Sequence, residues 1–159
     1  MVRYAQKPEK DDKEKKVTFT AKEAIHCPVC EADFHREELF SGRLNAGDLT
    51  DELHRLYIPM AAYGEIHPLV YDLTVCPSCW FAAFKHDFSE LPPASVNALQ
   101  AGIASRVESA QRIFDSVDFN TPRDLAAGAA SYYLAMISYE GYTKDFAPTF
   151  KQGLCALRA

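Results

Sequence analysis

Two C-P-x-C pairs, Cys27-Pro28-Val29-Cys30 and Cys76-Pro77-Ser78-Cys79, constrain this chain more than any other feature. Two residues between paired cysteines let a tight turn aim both sulfurs at one ion while turn amides donate to them. A second pair completes a tetrahedron. Residues 31–75 lie between the pairs, and an insertion of that size is tolerable because loop-closure cost grows only logarithmically with length. A structural zinc site formed by Cys27, Cys30, Cys76 and Cys79 is therefore expected, since four thiolates leave no coordination position for a reactive water. Iron in a rubredoxin-like site shares the spacing and is the inorganic alternative. A thiol–disulfide role would need a reactive cysteine in an electropositive setting next to a βαβ pattern, and neither pair has one.

The residue after each second cysteine is expected at positive φ, where glycine is usual. Here it is Glu31 and Trp80. Either the turns carry some strain or their geometry differs slightly, and Trp80 is expected to cover the metal site and exclude water.

Charge limits the use to which such a site can be put. The chain of 159 residues has a formal net charge of -5 and a pI near 5.5. Between Cys27 and Phe88 the acids Glu31, Asp33, Glu37, Glu38, Asp48, Asp51, Glu52, Glu65, Asp72 and Asp87 face only Arg36, Arg43, Arg55 and Lys85. A zinc tetrathiolate adds about -2. Nucleic acid is therefore disfavoured as a partner. No apolar run approaches the ~20 residues of a bilayer span and no signal-peptide core opens the chain, so a cytoplasmic protein with no membrane contact is expected. Paired cysteines in such a chain read as metal or redox chemistry rather than disulfides.

Three regions are expected: a disordered charged tail over 1–16 (KPEKDDKEKK within it), a metal-binding region with an insertion over 17–90, and a helical region over 91–159. Short strands should flank the first cysteine pair, and HPLVYDLTV should lead as a strand into the second. Within the insertion, Leu49, Leu53 and Leu56 are at helical spacing and suggest a short helix or turn over 48–56.

After Leu91-Pro92-Pro93 the apolar period changes to three or four. One helix is expected over about 94–115, with Val96, Leu99, Ile103, Val107, Ala110 and Ile113 as its packed stripe. A second should start at Thr121-Pro122-Arg123-Asp124, with Thr121 as N-cap and Pro122 first in the helix. Leu125, Ala129, Tyr132, Met136 and Tyr139 line its face, Gly128, Ala129 and Ala130 allow close approach to the first helix, and Gly141 stops it. A third begins near Pro148 with Phe150, Leu154 and Leu157. It reaches Ala159 without a stop signal, which suggests a longer protein whose further helices, or a second copy, cover that face.

Other candidates for chemistry are weaker. His26, His35, His54, His67 and His86 form no ligand pattern and read as surface or supporting residues. Asp33 with His35, and His86 with Asp87, are too local to make a catalytic pair. Phosphate-binding glycine loops and nucleophile elbows are missing, so no catalytic residue is assigned. Tyr132, Tyr133, Tyr139, Tyr142 and Phe146 read as core whose hydroxyls reach the edge. Cys155 reads as a small buried hydrophobe.

The segments C-P-V-C, F-S-G-R-L, I-H-P-L-V-Y-D-L-T-V-C-P-S-C-W-F-A-A-F, S-Y-Y-L-A-M-I-S-Y-E and F-K-Q-G-L-C-A-L-R resemble, in this order, the bacterial uncharacterised family DUF2225, over about residues 17–159. That resemblance implies a zinc-ribbon-like head joined to helices similar to tetratricopeptide repeats, although no 34-residue period is present here. The expected fold is α+β: a small zinc-ribbon-like β region with an α-helical C-terminal part. The expected function is a non-catalytic, zinc-stabilised module that binds another protein or a second copy of itself. Two alternatives stay open: an enzyme or redox protein using iron or zinc at the same cysteines, and a nucleic-acid-binding ribbon, against which the charge speaks.

Overall fold

The computed structural model describes residues 16–51, 53–63 and 65–159. The charged tail expected over 1–16 lies outside them, apart from Lys16. Among the described residues the fold is mixed α+β, with three two-stranded antiparallel ribbons and five α-helices.

β1 (Thr18–His26) pairs with β2 (Asp33–Leu39), and their register shifts between Thr20 and Ala24. β3 (Ala46–Leu49) pairs with β4 (Arg55–Tyr57), and β5 (Leu73–Val75) with β6 (Ala82–Phe84). The third ribbon is the buried one. Leu73, Val75, Ala82 and Ala83 have no polar face to turn outward, and they sit under the central helix.

Of the short helix or turn suggested over 48–56, the structure has the turn, closed by the Leu53 N–H donating to the Thr50 carbonyl at 2.9 Å. The segment belongs to the β3–β4 hairpin, in which Leu49, Leu53 and Leu56 are all exposed, with Leu53 at φ 62 in the connection. Helical spacing carries no weight when nothing packs on the stripe. The expected strand before Cys76 is also shorter: Pro68–Tyr71 form a 3-10 turn begun by the proline, and extended backbone starts only at Leu73.

Short α1 (Lys85–Ser89) follows β6 directly. The single helix expected over 94–115 is two, α2 (Pro93–Ala101) and α3 (Ile103–Gln111), with Gly102 at φ -84, ψ 2 between them. Leu99 and Ala110 of the predicted stripe are buried, but Ile113 is 57% exposed, while Arg106, outside that stripe, is only 2% exposed.

α4 (Leu125–Ser138) is the central helix and is buried nearly all round, from Ala127 to Ser138. Its cap is Asp124 rather than Thr121: the carboxylate accepts from the Ala127 N–H at 2.8 Å, while the Thr121 hydroxyl donates to the Asp118 carbonyl. An acid at that position also complements the helix dipole. The predicted face begins later than expected, since Leu125 is exposed and burial starts at Ala127. Gly128 does permit a close approach, but to the Pro68–Tyr71 turn: an added Cβ would lie 2.5 Å from Val70 Cγ1. Near Gly141 the helix tightens into a 3-10 turn, Tyr139–Gly141, and ends.

α5 (Pro148–Arg158) starts where expected, but its inner side carries Cys155, fully buried, and the stems of Lys151 and Arg158. Phe150 and Leu157 point outward, 72% and 75% exposed. One core runs through all of this, from Cys27 and Val29 through Phe81 and Phe88 to Leu134, Tyr139 and Cys155. The tyrosine row is core, as expected: Tyr132 donates to the Leu69 carbonyl at 2.8 Å and Tyr142 to the Asp87 carbonyl at 3.0 Å.

Candidate metal centre

Each cysteine pair occupies the loop of a two-stranded ribbon. His26 pairs with Asp33 across the first loop and Val75 with Ala82 across the second. The loops repeat each other bond for bond. Cys27 N–H donates to Ala32 O and Cys76 N–H to Phe81 O; Glu31 N–H donates to Cys27 O and Trp80 N–H to Cys76 O, all at 2.9 Å. Glu31 (φ 62) and Trp80 (φ 56) are in the left-handed region, as their place after the second cysteine predicts. Such a conformation costs a non-glycine residue roughly 1 kcal/mol or more, which the paired hydrogen bonds of each loop offset.

The loops bring the four sulfurs within 4.8 Å of one another. Cys27 Sγ lies 3.7 Å from Cys79 Sγ, and Cys30 Sγ 3.6 Å from Cys76 Sγ. A disulfide would need ~2.05 Å. Thiolates ~2.3 Å from a tetrahedral metal lie ~3.8 Å apart, so the spacing fits four ligands around one ion. Cys27, Cys76 and Cys79 are buried and Cys30 is half-buried.

Protonation tells the same story. Hydrogen bonds with Cys27 and Cys79 hold the Cys76 thiol far below its usual range, at about 2. The contact with Cys76 pushes Cys27 up to about 12, and contacts with Cys27 and Cys76 raise Cys79 too. One sulfur is thus a ready anion, and its neighbours keep their protons unless a cation compensates four clustered charges. Backbone amides of Val29 and Cys30 favour the Cys27 thiolate, and those of Ser78 and Cys79 favour that of Cys76.

The surroundings add residues that the motif does not announce. Arg106 donates to the Cys79 carbonyl through Nη2 at 3.0 Å and Nε at 3.3 Å, and to the Leu99 carbonyl through Nη1 at 3.2 Å. Gln100 Nε2 donates to the Val29 carbonyl at 2.8 Å. Helices α2 and α3 therefore hold one loop each. Trp80 meets Phe119 edge-on, with ring centroids 5.6 Å apart, which ties the second loop to the approach to α4. Away from the sulfurs, Asp87 is buried and accepts from Tyr139 Oη at 2.6 Å and Lys151 Nζ at 2.5 Å. Its sequence neighbour His86 faces Glu90 instead. Neither Arg106 nor Asp87 has a sequence signal; both acquire partners only through distant elements.

The histidines stay at the periphery. His26 Nδ1 is 3.0 Å from Asp33 Oδ1 on an exposed edge, His35 Nδ1 is 3.0 Å from the Ala21 carbonyl, and none joins the cysteine cluster.

Fold and site together define a small α+β protein whose four cysteines, on two matched hairpin loops, form a cluster that could hold a metal ion. The chain belongs to the DUF2225 family, described as "Uncharacterized protein conserved in bacteria", whose model matches residues 20–159. It is 45% identical over 148 residues to an "Uncharacterized protein" of Borreliella burgdorferi, a match covering 91% of this chain and 53% of that protein. The chain thus spans about half the length of that relative. No solved structure matches it. Among the described residues, no helix is long and apolar enough to cross a membrane.

Proposed function

We propose that Cys27, Cys30, Cys76 and Cys79 bind one zinc ion as a structural clamp, and that the clamped protein is a non-catalytic module for binding another protein in the cytoplasm. The observation that carries the zinc reading is the pair of loops with matching backbone hydrogen bonds and sulfur contacts of 3.6 and 3.7 Å, three of the four cysteines being buried and no side chain but cysteine joining the cluster. Four thiolates close the shell, so zinc there would supply folding energy and not a reactive water. Two exposed apolar surfaces support the interaction reading: the β3–β4 hairpin with Leu49, Leu53, Leu56 and Ile58, and the outer face of α5. The packed pair α4 and α5 is, in our reading, the element similar to a tetratricopeptide repeat.

Elemental analysis and a visible absorption spectrum of purified protein test the metal: one zinc per chain and no colour are expected, and a red, iron-containing protein would overturn zinc. For the interaction, affinity capture and solution mass are compared between the native chain and Leu53→Asp or Phe150→Asp variants. A captured protein or a dimer that one substitution abolishes is expected. Strongly salt-dependent binding of nucleic acid instead would favour the ribbon reading.

A further inference from the structure

We propose that Arg106 is the built-in counter-charge of the cysteine centre, setting how tightly the four cysteines hold a divalent metal. This rests on the zinc reading above. A guanidinium stays charged at any physiological pH, and a charge taken out of water requires a partner of opposite sign. Arg106 is 2% exposed, yet among the described residues no carboxylate lies within ion-pair distance of it. Its hydrogen bonds go to two backbone carbonyls, Cys79 and Leu99. Carbonyls satisfy the donors but leave the charge uncompensated.

The carbonyl it binds twice belongs to Cys79, one of the four cysteines of the cluster, and the charges that act on Arg106 are those of Cys79, Cys27 and Cys76. A divalent ion with four thiolates carries a net charge of about -2, itself buried and in need of compensation. Each buried charge thus answers the other. The geometry adds direction: Nε and Nη2 both bind the peptide oxygen between Cys79 and Trp80, the peptide that leads into the left-handed turn at Trp80. Nη1 anchors the other end of the fork to the last turn of α2. The guanidinium therefore brings its positive charge to the second loop and lowers the cost of that loop's thiolates, and its position links metal binding to the α2–α3 pair.

The test is zinc affinity of the full chain, measured by competition with a chromogenic chelator, for the native protein, Arg106→Met and Arg106→Lys. Cobalt(II) spectra of each report whether the site stays tetrahedral with four sulfurs, and circular dichroism reports folding. We expect Arg106→Met to weaken zinc roughly 10- to 100-fold, the usual scale for residues that support metal ligands, with Arg106→Lys recovering most of it and the cobalt spectrum unchanged. A purely structural role predicts that Lys, which lacks the fork, fails like Met; that outcome overturns the charge assignment, as does equal affinity of all three proteins. Should Arg106→Met not fold, Arg106→Lys decides alone: zinc held within about threefold of native supports the proposal, and a tenfold loss, the low end of that scale, refutes it. A native chain that binds no zinc would refute the clamp itself, a result separate from any difference between variants.

Discussion

Gly128→Ala should destabilise this protein, although an alanine in a helix is ordinarily an improvement. Gly128 sits in the first turns of α4, where Ala would gain ~1 kcal/mol in helix propensity. The new Cβ, however, would lie 2.5 Å from Val70 Cγ1 and 2.8 Å from Val70 Cβ. Neither atom is the free end of a flexible side chain. Val70 is 7% exposed, β-branched and held in the Pro68–Tyr71 turn, whose carbonyls at Leu69 and Val70 accept from Tyr132 and Arg123. Relief therefore requires α4 and that turn to separate by most of an ångström. Overpacking of this kind costs ~1–3 kcal/mol, and a clash of 2.5 Å against an anchored side chain belongs to the upper part of that range, ~2–3 kcal/mol, which leaves a net loss of ~1–2 kcal/mol after the ~1 kcal/mol propensity gain. For a chain of this size that is a fall of roughly 2–8 °C in melting temperature. Thermal unfolding followed by circular dichroism, at equal metal loading, measures it. Val70→Ala provides the control: it removes the atom at 2.5 Å, so the loss caused by Gly128→Ala should shrink by at least half in that background. A variant that melts at or above the native temperature, or an equal loss in both backgrounds, would refute the reasoning.

Three further outcomes follow from the structure. Replacing Cys76 by serine should abolish stoichiometric zinc and the cooperative melt, because apparent zinc free energies of ~10–16 kcal/mol are of the same size as the ~5–15 kcal/mol that typically separates folded from unfolded chains; full metal content with native melting would contradict the ligand assignment. Lys151→Met strips the buried Asp87 of its half-buried cation while Tyr139 still donates to it, and should cost about 2–4 kcal/mol in urea unfolding, more than Asp87→Asn; a change inside experimental error would show the pair to be idle. Burial pushes Tyr132 up to about 12 and Cys155 up to about 11. A raised folded-state pKa means that the stability these groups contribute is intact below their unfolded values and is lost as pH rises through the folded ones, so stability should fall between about pH 9 and 12. Tyrosinate absorbance that develops fully near pH 10 with the fold intact would disprove this.

Local rules made part of the molecule readable in advance. Paired cysteines with a two-residue gap say where a metal can sit, because the turn that brings two sulfurs together is short-range geometry, and the positive φ of Glu31 and Trp80 follows from the same turn. Cys155, the tyrosine row and the start of α5 at Pro148 were legible for a similar reason: burial of apolar bodies and the proline preference for a first helical turn need no knowledge of distant partners. What failed were inferences from periodicity alone. Leu49, Leu53 and Leu56 have a helical repeat but lie on a hairpin, and the stripe assigned to the first long helix omitted Arg106, its most deeply placed cation.

The sequence by itself determined the two matched cysteine pairs, the acidic balance of the chain, and the change from ribbons to helices along it. Only the tertiary structure decided what those cysteines are held by. Arg106, Gln100 and Asp87 lie 27, 71 and 64 positions from the Cys79, Val29 and Lys151 groups they bind. No pattern local to the chain encodes such pairs: a buried charge reveals its role only when folding has removed water from around it and left one partner within reach.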